Sequence, residues 1–302
     1  MRKILILTAL ILNTISAMAQ INSNNTTNIQ NTSQNTPIAW QSNRIGAVFA
    51  REGGASPEGT FRFTSSGYEV YTIHSADKDF QPASLYYGVN DADKAEVDAL
   101  APDGKVPTAM NCFAVKTPEG VLLIDTGLPV SNGGQALQRL ESLNIHPSDV
   151  KRIYITHGHF DHIGGLLNET GEANYPDATV YISTDELEFI RETMEDTASK
   201  IEKAYNGRLI AFGFGEILTG NVLPISAKGH TPGHTAYLIG SLLFVGDIMH
   251  GESIQLLDPN ICANFDKNRS QAIATRISIL EYAASNSLTV LGAHIPGNGI
   301  IF

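Results

Sequence analysis

The apolar positions fall into short alternating runs in two stretches of the chain, each followed by a helical period. Tyr68–His74 (YEVYTIH) alternates as a strand. Phe113–Lys116 and Val121–Asp125 predict a hairpin across Pro118-Glu119-Gly120, and Lys151–Thr156 (KRIYIT) predicts a buried strand. Gly133–Asn144 has the 3.6-residue period, with Ala136, Leu137, Leu140 and Leu143 on one face. Thr179–Ser183 predicts a strand, and Ser183 with Glu186 a capping box opening a helix that runs to about Asn206. The second stretch repeats the scheme. Val222–Ala227, Thr235–Ile239, Ser241–Val245 and Leu288–Ala293 predict strands, and Asn268–Ser285 a helix burying Ile273, Ile277, Leu280 and Ala284. Periodicity by itself reaches only α/β or α+β.

The two ends of this pattern differ from its middle. Arg2-Lys3, an apolar run over Ile4–Ile15 and Ala17-Met18-Ala19 before Gln20 read as a cleaved export leader over residues 1–19. The run is too short for a comfortable membrane span. Residues 20–38 are rich in Asn, Thr and Gln without apolar period and read as a disordered tail. The folded domain is expected over 39–302, in a periplasmic or secreted protein with no membrane attachment once the leader is gone. Of 302 residues, 42% are hydrophobic and 17% charged, which suits one large core. The net charge of −11 comes without any basic run, so nucleic acid is a poor partner and a small-molecule substrate the better one. Export would permit a disulfide between Cys112 and Cys262, but the sequence favours two ordinary buried thiols.

The chemistry concentrates in Thr156-His157-Gly158-His159-Phe160-Asp161-His162-Ile163-Gly164-Gly165, a loop between a strand and an apparent helix start at Gly164. Three imidazoles and a carboxylate within six positions suit divalent cations of borderline softness, and the spacing suits two of them. Further candidates follow: His230 and His234 in Lys228-Gly229-His230-Thr231-Pro232-Gly233-His234, Asp247 after Leu242–Gly246, and His294 after Leu288–Ala293. No Gly-x-Ser-x-Gly elbow competes, because Thr64-Ser65-Ser66-Gly67 lacks the first glycine.

The pattern His-x-His-x-Asp-His, followed in order by these motifs, resembles the metallo-β-lactamase superfamily over about residues 68–302. The resemblance implies a four-layer αββα sandwich. It also implies a dinuclear centre, with His157, His159 and His230 on one metal, Asp161, His162 and His294 on the other, and Asp247 between them. His234 would be a supporting or packing residue. Asp125, in Leu123-Ile124-Asp125-Thr126-Gly127, would orient a ligand histidine, whereas His74 and His146 read as ordinary surface or turn histidines. Two divalent ions, zinc by default, would make hydroxide available at neutral pH. The second metal or Asp161 in protonated form could meet the leaving oxygen, and His250 could approach the centre from the substrate side or instead hold Asp247 or its loop.

Within the superfamily, Gly246-Asp247-Ile248-Met249-His250, Phe265-Asp266, His294-Ile295-Pro296-Gly297 and Pro107–Asn111 resemble the methyl parathion hydrolase-like group. That implies hydrolysis of esters, lactones or phosphotriesters, and a homodimer. Compact acyl-homoserine lactonases carry a tyrosine where this chain has His250. The alternatives are an iron-dependent sulfur dioxygenase, a β-lactam hydrolase, for which a bridging Asp247 is unusual, and a catalytically inactive binding protein.

Overall fold

The computed structural model describes residues 56–77, 79–85 and 90–301. The leader, the tail and the first part of the expected domain lie outside the described residues. Among the described residues, no helix is long and apolar enough to cross a membrane.

Two sheets organise the fold. The first has seven strands in chain order: β1 (Thr60–Ser65), β2 (Tyr68–Asp77), β3 (Ala109–Thr117), β4 (Gly120–Ile124), β5 (Val150–Tyr154), β6 (Thr179–Ser183) and β7 (Leu209–Phe212). The pairings from β1 to β4 are antiparallel, those from β4 to β7 parallel. The second sheet orders β11 (Thr289–Leu291), β10 (Leu242–Phe244), β9 (Thr235–Ile239) and β8 (Leu223–Ser226), with β10 and β11 parallel. Helices α1 (Asp91–Ala99), α2 (Ala136–Ser142), α3 (Phe160–Ile163), α4 (Thr184–Thr193), α5 (Glu195–Ala204), α6 (Glu252–Gln255) and α7 (Arg269–Ser285) complete the chain.

Strand alternation builds the layers. In β3, Cys112 and Ala114 pack with Leu140, Leu187 and Ile201 of the helices, while Phe113 and Val115 pack with Tyr237, Leu242 and Phe244 of the other sheet. In β10, Leu242 and Phe244 face that shared interior and Leu243 faces Ile279 and Leu280 of α7. A period of two therefore gives each sheet two apolar faces, one for the other sheet and one for helices. Each fully buried leucine, valine or phenylalanine among them contributes about 1.5–3 kcal/mol. The result is the expected αββα sandwich.

The structure differs from the sequence reading in several local respects. β1 joins β2 through Ser66-Gly67, both with positive φ, the two-residue hairpin loop that a right-handed strand twist favours. The helix expected from Ser183 to Asn206 breaks at Met194 (φ −144°) into α4 and α5. The capping box is half formed: Ser183 Oγ accepts from the Glu186 N–H, but the Glu186 side chain is engaged elsewhere. Helix α2 is shorter than expected; α3 precedes Gly164, and the helix expected to start there is a 3-10 turn over Gly164–Leu166 that ends at the extended Leu167. The buried face of α7 is Ala272, Thr275, Arg276, Ile279, Leu280, Tyr282 and Ala283, while Ile273, Ile277 and Ala284 are half-buried. Arg276 rotates that face inward, because it donates to the carbonyls of Ile248 at 2.6 Å and Ile261 at 3.0 Å. Cys112 and Cys262 are both buried free thiols.

Candidate metal centre

The carboxyl ends of β4, β5, β10 and β11 open on one edge of the sandwich, where α/β sheets generally bind ligands. Asp125 follows β4, His157 to His162 follow β5, His230 lies in the β8–β9 turn, Asp247 follows β10 and His294 follows β11. Backbone bonds tie these loops together. The Thr126 N–H donates to His162 O at 2.8 Å, and the Thr235 N–H to Thr156 O at 2.9 Å.

All seven residues expected from the sequence meet at this edge. His157 Nε2, His159 Nδ1 and His230 Nε2 form a triangle with sides of 3.0, 3.2 and 2.9 Å. Asp247 Oδ2 stands 3.6 Å from His157 Nε2 and 3.3 Å from His230 Nε2. On its other side, Oδ2 reaches His294 Nε2 at 2.9 Å and Oδ1 faces His162 Nε2 at 3.1 Å. Asp161 Oδ2 completes the second set, 3.4 Å from His294 Nε2 and 3.6 Å from His162 Nε2. Two donor sets, His157/His159/His230/Asp247 and Asp161/His162/His294, thus lie within reach of a cation each.

The protonation pattern tests the fit. His162 Nδ1 is 2.8 Å from Asp125 Oδ2, His230 Nδ1 is 2.8 Å from Asp266 Oδ1, and His294 Nδ1 is 2.7 Å from the carbonyl of Ala109. Each acceptor is an oxygen, so each Nδ1 donates and each Nε2 lone pair faces the centre. His157 Nδ1 lies 3.1 Å from Thr156 Oγ1, which itself donates to Asp125 Oδ2 at 2.7 Å. That leaves His157 Nε2 as a free acceptor too. Outer partners of this kind fix ligand imidazoles in their metal-binding tautomer. His162 Nε2 and Asp247 Oδ1 are buried and make no hydrogen bond. Edges of 2.9–3.2 Å are close to the spacing, about 3.3 Å, of nitrogen donors that share one cation at about 2.0–2.1 Å, and slightly tighter than it. The residues present fit two divalent cations.

Electrostatics agree. Burial pushes the Asp247 carboxyl up, but His162, His294 and His157 outweigh it and hold it well below the usual carboxylate range. Burial pushes His162 and His294 down, yet Asp247 and the neighbouring carboxylates pull both up. Burial and the adjacent imidazoles press His157 down, and His159 to about 3. The buried carboxylates therefore demand positive charge, which protons or bound cations can supply.

His234 does not point a lone pair at either set. Its Nδ1 donates to Ala227 O at 2.9 Å and its Nε2 accepts the Asp247 N–H at 3.1 Å, an arrangement only the neutral ring satisfies. A Cβ at residue 246 would collide with that ring, so Gly246 (φ +53°) lets the backbone pass. His250 Nε2 lies 3.1 Å from Asp247 Oδ2, its ring stacks on His294 at 4.9 Å, and burial lowers it to about 4. Asp125, held at φ +59°, also accepts the Thr156 N–H at 2.7 Å. His74 Nδ1 pairs with Asn111 Oδ1 at 3.0 Å, away from the centre. The sequence assigns no supporting role to Asp266, Arg276 or Glu186: Asp266 enters only as part of a motif and Glu186 only as a capping residue.

A cleft of about 690 Å³ opens above the centre. His159, Asp161, Asp247, His250 and His294 form its floor, and Phe80, Met110, Leu128, Phe160, Met194 and Phe265 its mainly apolar wall. The described lining residues include no serine, threonine, cysteine or lysine.

The sequence profile of the metallo-beta-lactamase superfamily matches residues 107–294, more than half of the chain. The chain belongs to that superfamily. An N-acyl homoserine lactonase of Bacillus sp is 28% identical over 162 residues, covering 46% of this chain and 62% of the relative. A hydroxyacylglutathione hydrolase of Buchnera aphidicola is 29% identical over 126 residues, 42% of this chain and 41% of the relative. The chain thus spans less than two thirds of either. Among solved structures, the hydrolase AbOPH of the beta lactamase superfamily superimposes with a TM-score of 0.72 at 26% identity, covering 82% of this chain and 93% of that one. The dizinc quorum-quenching lactonase AidC gives 0.71 at 24% identity, with 80% and 92% covered.

Proposed function

We propose that this protein is an exported dinuclear metal-dependent hydrolase of lactones and esters, extending to phosphotriesters. The observation that carries the reading is the pair of donor sets, both in contact with Asp247, on the floor of an apolar-walled cleft whose described lining residues include no serine, threonine, cysteine or lysine. His157, His159 and His230 would hold one cation, Asp161, His162 and His294 the other, and Asp247 would touch both. The bound ions, zinc by default, would supply positive charge for the substrate's carbonyl or phosphoryl oxygen and a water of low pKa.

The protein's own groups do the rest. The apolar wall orients the substrate and excludes bulk water. Asp161 rests as a carboxylate: burial raises it, but His162 and His294 hold it below its ordinary range. It is therefore suited to take the proton of the attacking water and pass it to the leaving oxygen. Resemblance to the methyl parathion hydrolase-like group supports the phosphotriester part, and the leader over residues 1–19 the export part.

Protein purified without chelator should carry close to two metal equivalents by elemental analysis. It should turn over an aryl ester and an acylated lactone faster than a β-lactam, with a phosphotriester as the third arm. One tightly held iron with no hydrolysis would favour the redox alternative instead. Protein retained inside the cell with Met1 in place, rather than exported and starting at Gln20, would remove the export part.

His250 tests substrate choice. As a neutral ring on the cleft floor, it can steady Asp247 or donate to a substrate oxygen. His250→Ala should lower kcat/KM by roughly ten- to a hundredfold, about 1–3 kcal/mol, with metal content unchanged. The ranking of lactone against phosphotriester should shift. Equal loss on every substrate together with depleted metal would assign His250 to holding Asp247 alone.

A further inference from the structure

Glu186 is a buried carboxylate for which the chemistry of the cleft has no use. It sits in the first turn of α4 and does not line the cleft. Its Oε1 accepts the Gly158 N–H at 2.7 Å. Its Oε2 accepts the Thr231 hydroxyl at 2.7 Å and the Gly233 N–H at 2.9 Å. Gly158 lies between His157 and His159, and Thr231 follows His230. A Cβ at Gly233 would collide with the Glu186 backbone, so the turn and the helix start are in direct contact.

The two loops that Glu186 joins leave different sheets, one after β5 and the other after β8. Hydrogen bonds within either sheet cannot set the gap between them. Thr235 N–H to Thr156 O crosses it at the base, and Glu186 crosses it at the tips. Two of the three sides of the imidazole triangle, 3.2 and 2.9 Å, span that gap. Three lone pairs converging so closely repel one another, so the approach must be held from outside. The second donor set has other supports, Asp125 for His162 and the Ala109 carbonyl for His294.

We infer that Glu186 is a positioning residue of the cation position formed by His157, His159 and His230, the one that joins its two loops beside Asp266 on His230 and Thr156 on His157, setting its affinity independently of the position formed by Asp161, His162 and His294. The inference rests on the dinuclear reading proposed above. Chemistry specifies the residue type. Every partner brings a hydrogen to donate, so only a group that accepts on both oxygens satisfies all three. A glutamine would turn its amide hydrogens against one set of donors, and an aspartate is one methylene too short.

The test titrates metal-free protein with cobalt(II) and resolves two binding steps. The step missing in His230→Ala identifies the first position. Glu186→Gln should weaken that step by roughly ten- to a hundredfold and leave the other unchanged. Thr231→Val, which removes one donor and keeps Glu186, should weaken the same step less. The step missing in His294→Ala identifies the other position. Equal weakening of both steps in Glu186→Gln, or no change in either variant, would overturn the inference. If metal-free Glu186→Gln melts far below the metal-free parent, Thr231→Val decides the question. A parent protein that takes up no cobalt would instead overturn the dinuclear reading, and the inference with it.

Discussion

Asp247→Ala is expected to empty both cation positions and to lower kcat/KM by on the order of 10⁴ or more. Its carboxylate stands between His157 and His230 of one set and His162 and His294 of the other, so it is the group common to both sets. Removing it leaves four imidazoles without their shared negative charge, and two cations close together without a carboxylate between them. Elemental analysis after dialysis, beside turnover of an aryl ester, measures both effects. Two retained equivalents with activity within tenfold of the parent would refute the shared role.

The second large effect separates His230 from His234, four residues apart in one turn. His230→Ala should lose one metal equivalent and lower turnover by roughly 10³-fold or more, since its Nε2 closes the imidazole triangle. His234→Ala should keep both equivalents. It removes the acceptor of the Asp247 N–H and the donor to Ala227 O in a fully buried place, and leaves a cavity. The cost should appear as stability, about 2–4 kcal/mol, read from denaturant unfolding of the metal-free protein. The reverse pattern, metal lost from His234→Ala and kept in His230→Ala, would exchange their roles.

Both predictions begin with residues that local sequence exposes. His157 to His162 lie within one loop, and a strand that ends at Tyr154 must present them at its carboxyl end. The alternation in β3, β4, β9 and β10 likewise contains the two-faced burial of each sheet. Short strands with weaker patterns carry less local signal. β1 depends on the Ser66-Gly67 turn more than on its own composition, and β7 is half exposed. The break at Met194 carries no glycine or proline to announce it.

The supporting residues are a different matter. Glu186 looks like a capping residue, because Ser183 three positions earlier supplies the local signal. Its actual partners belong to loops from two sheets, and no local pattern encodes that meeting. Arg276 falls in a helix whose apolar residues suggest another face, until the carbonyls of Ile248 and Ile261 draw it inward. Neighbours a few residues apart specify the strand faces, the histidine-rich loop and the order in which the ligand candidates arrive. Which nitrogen of each imidazole faces the centre, and which buried carboxylate holds it there, follows from long-range contacts alone. Those choices depend on hydrogen bonds between segments far apart in the chain, which come within reach only when the two sheets close on each other.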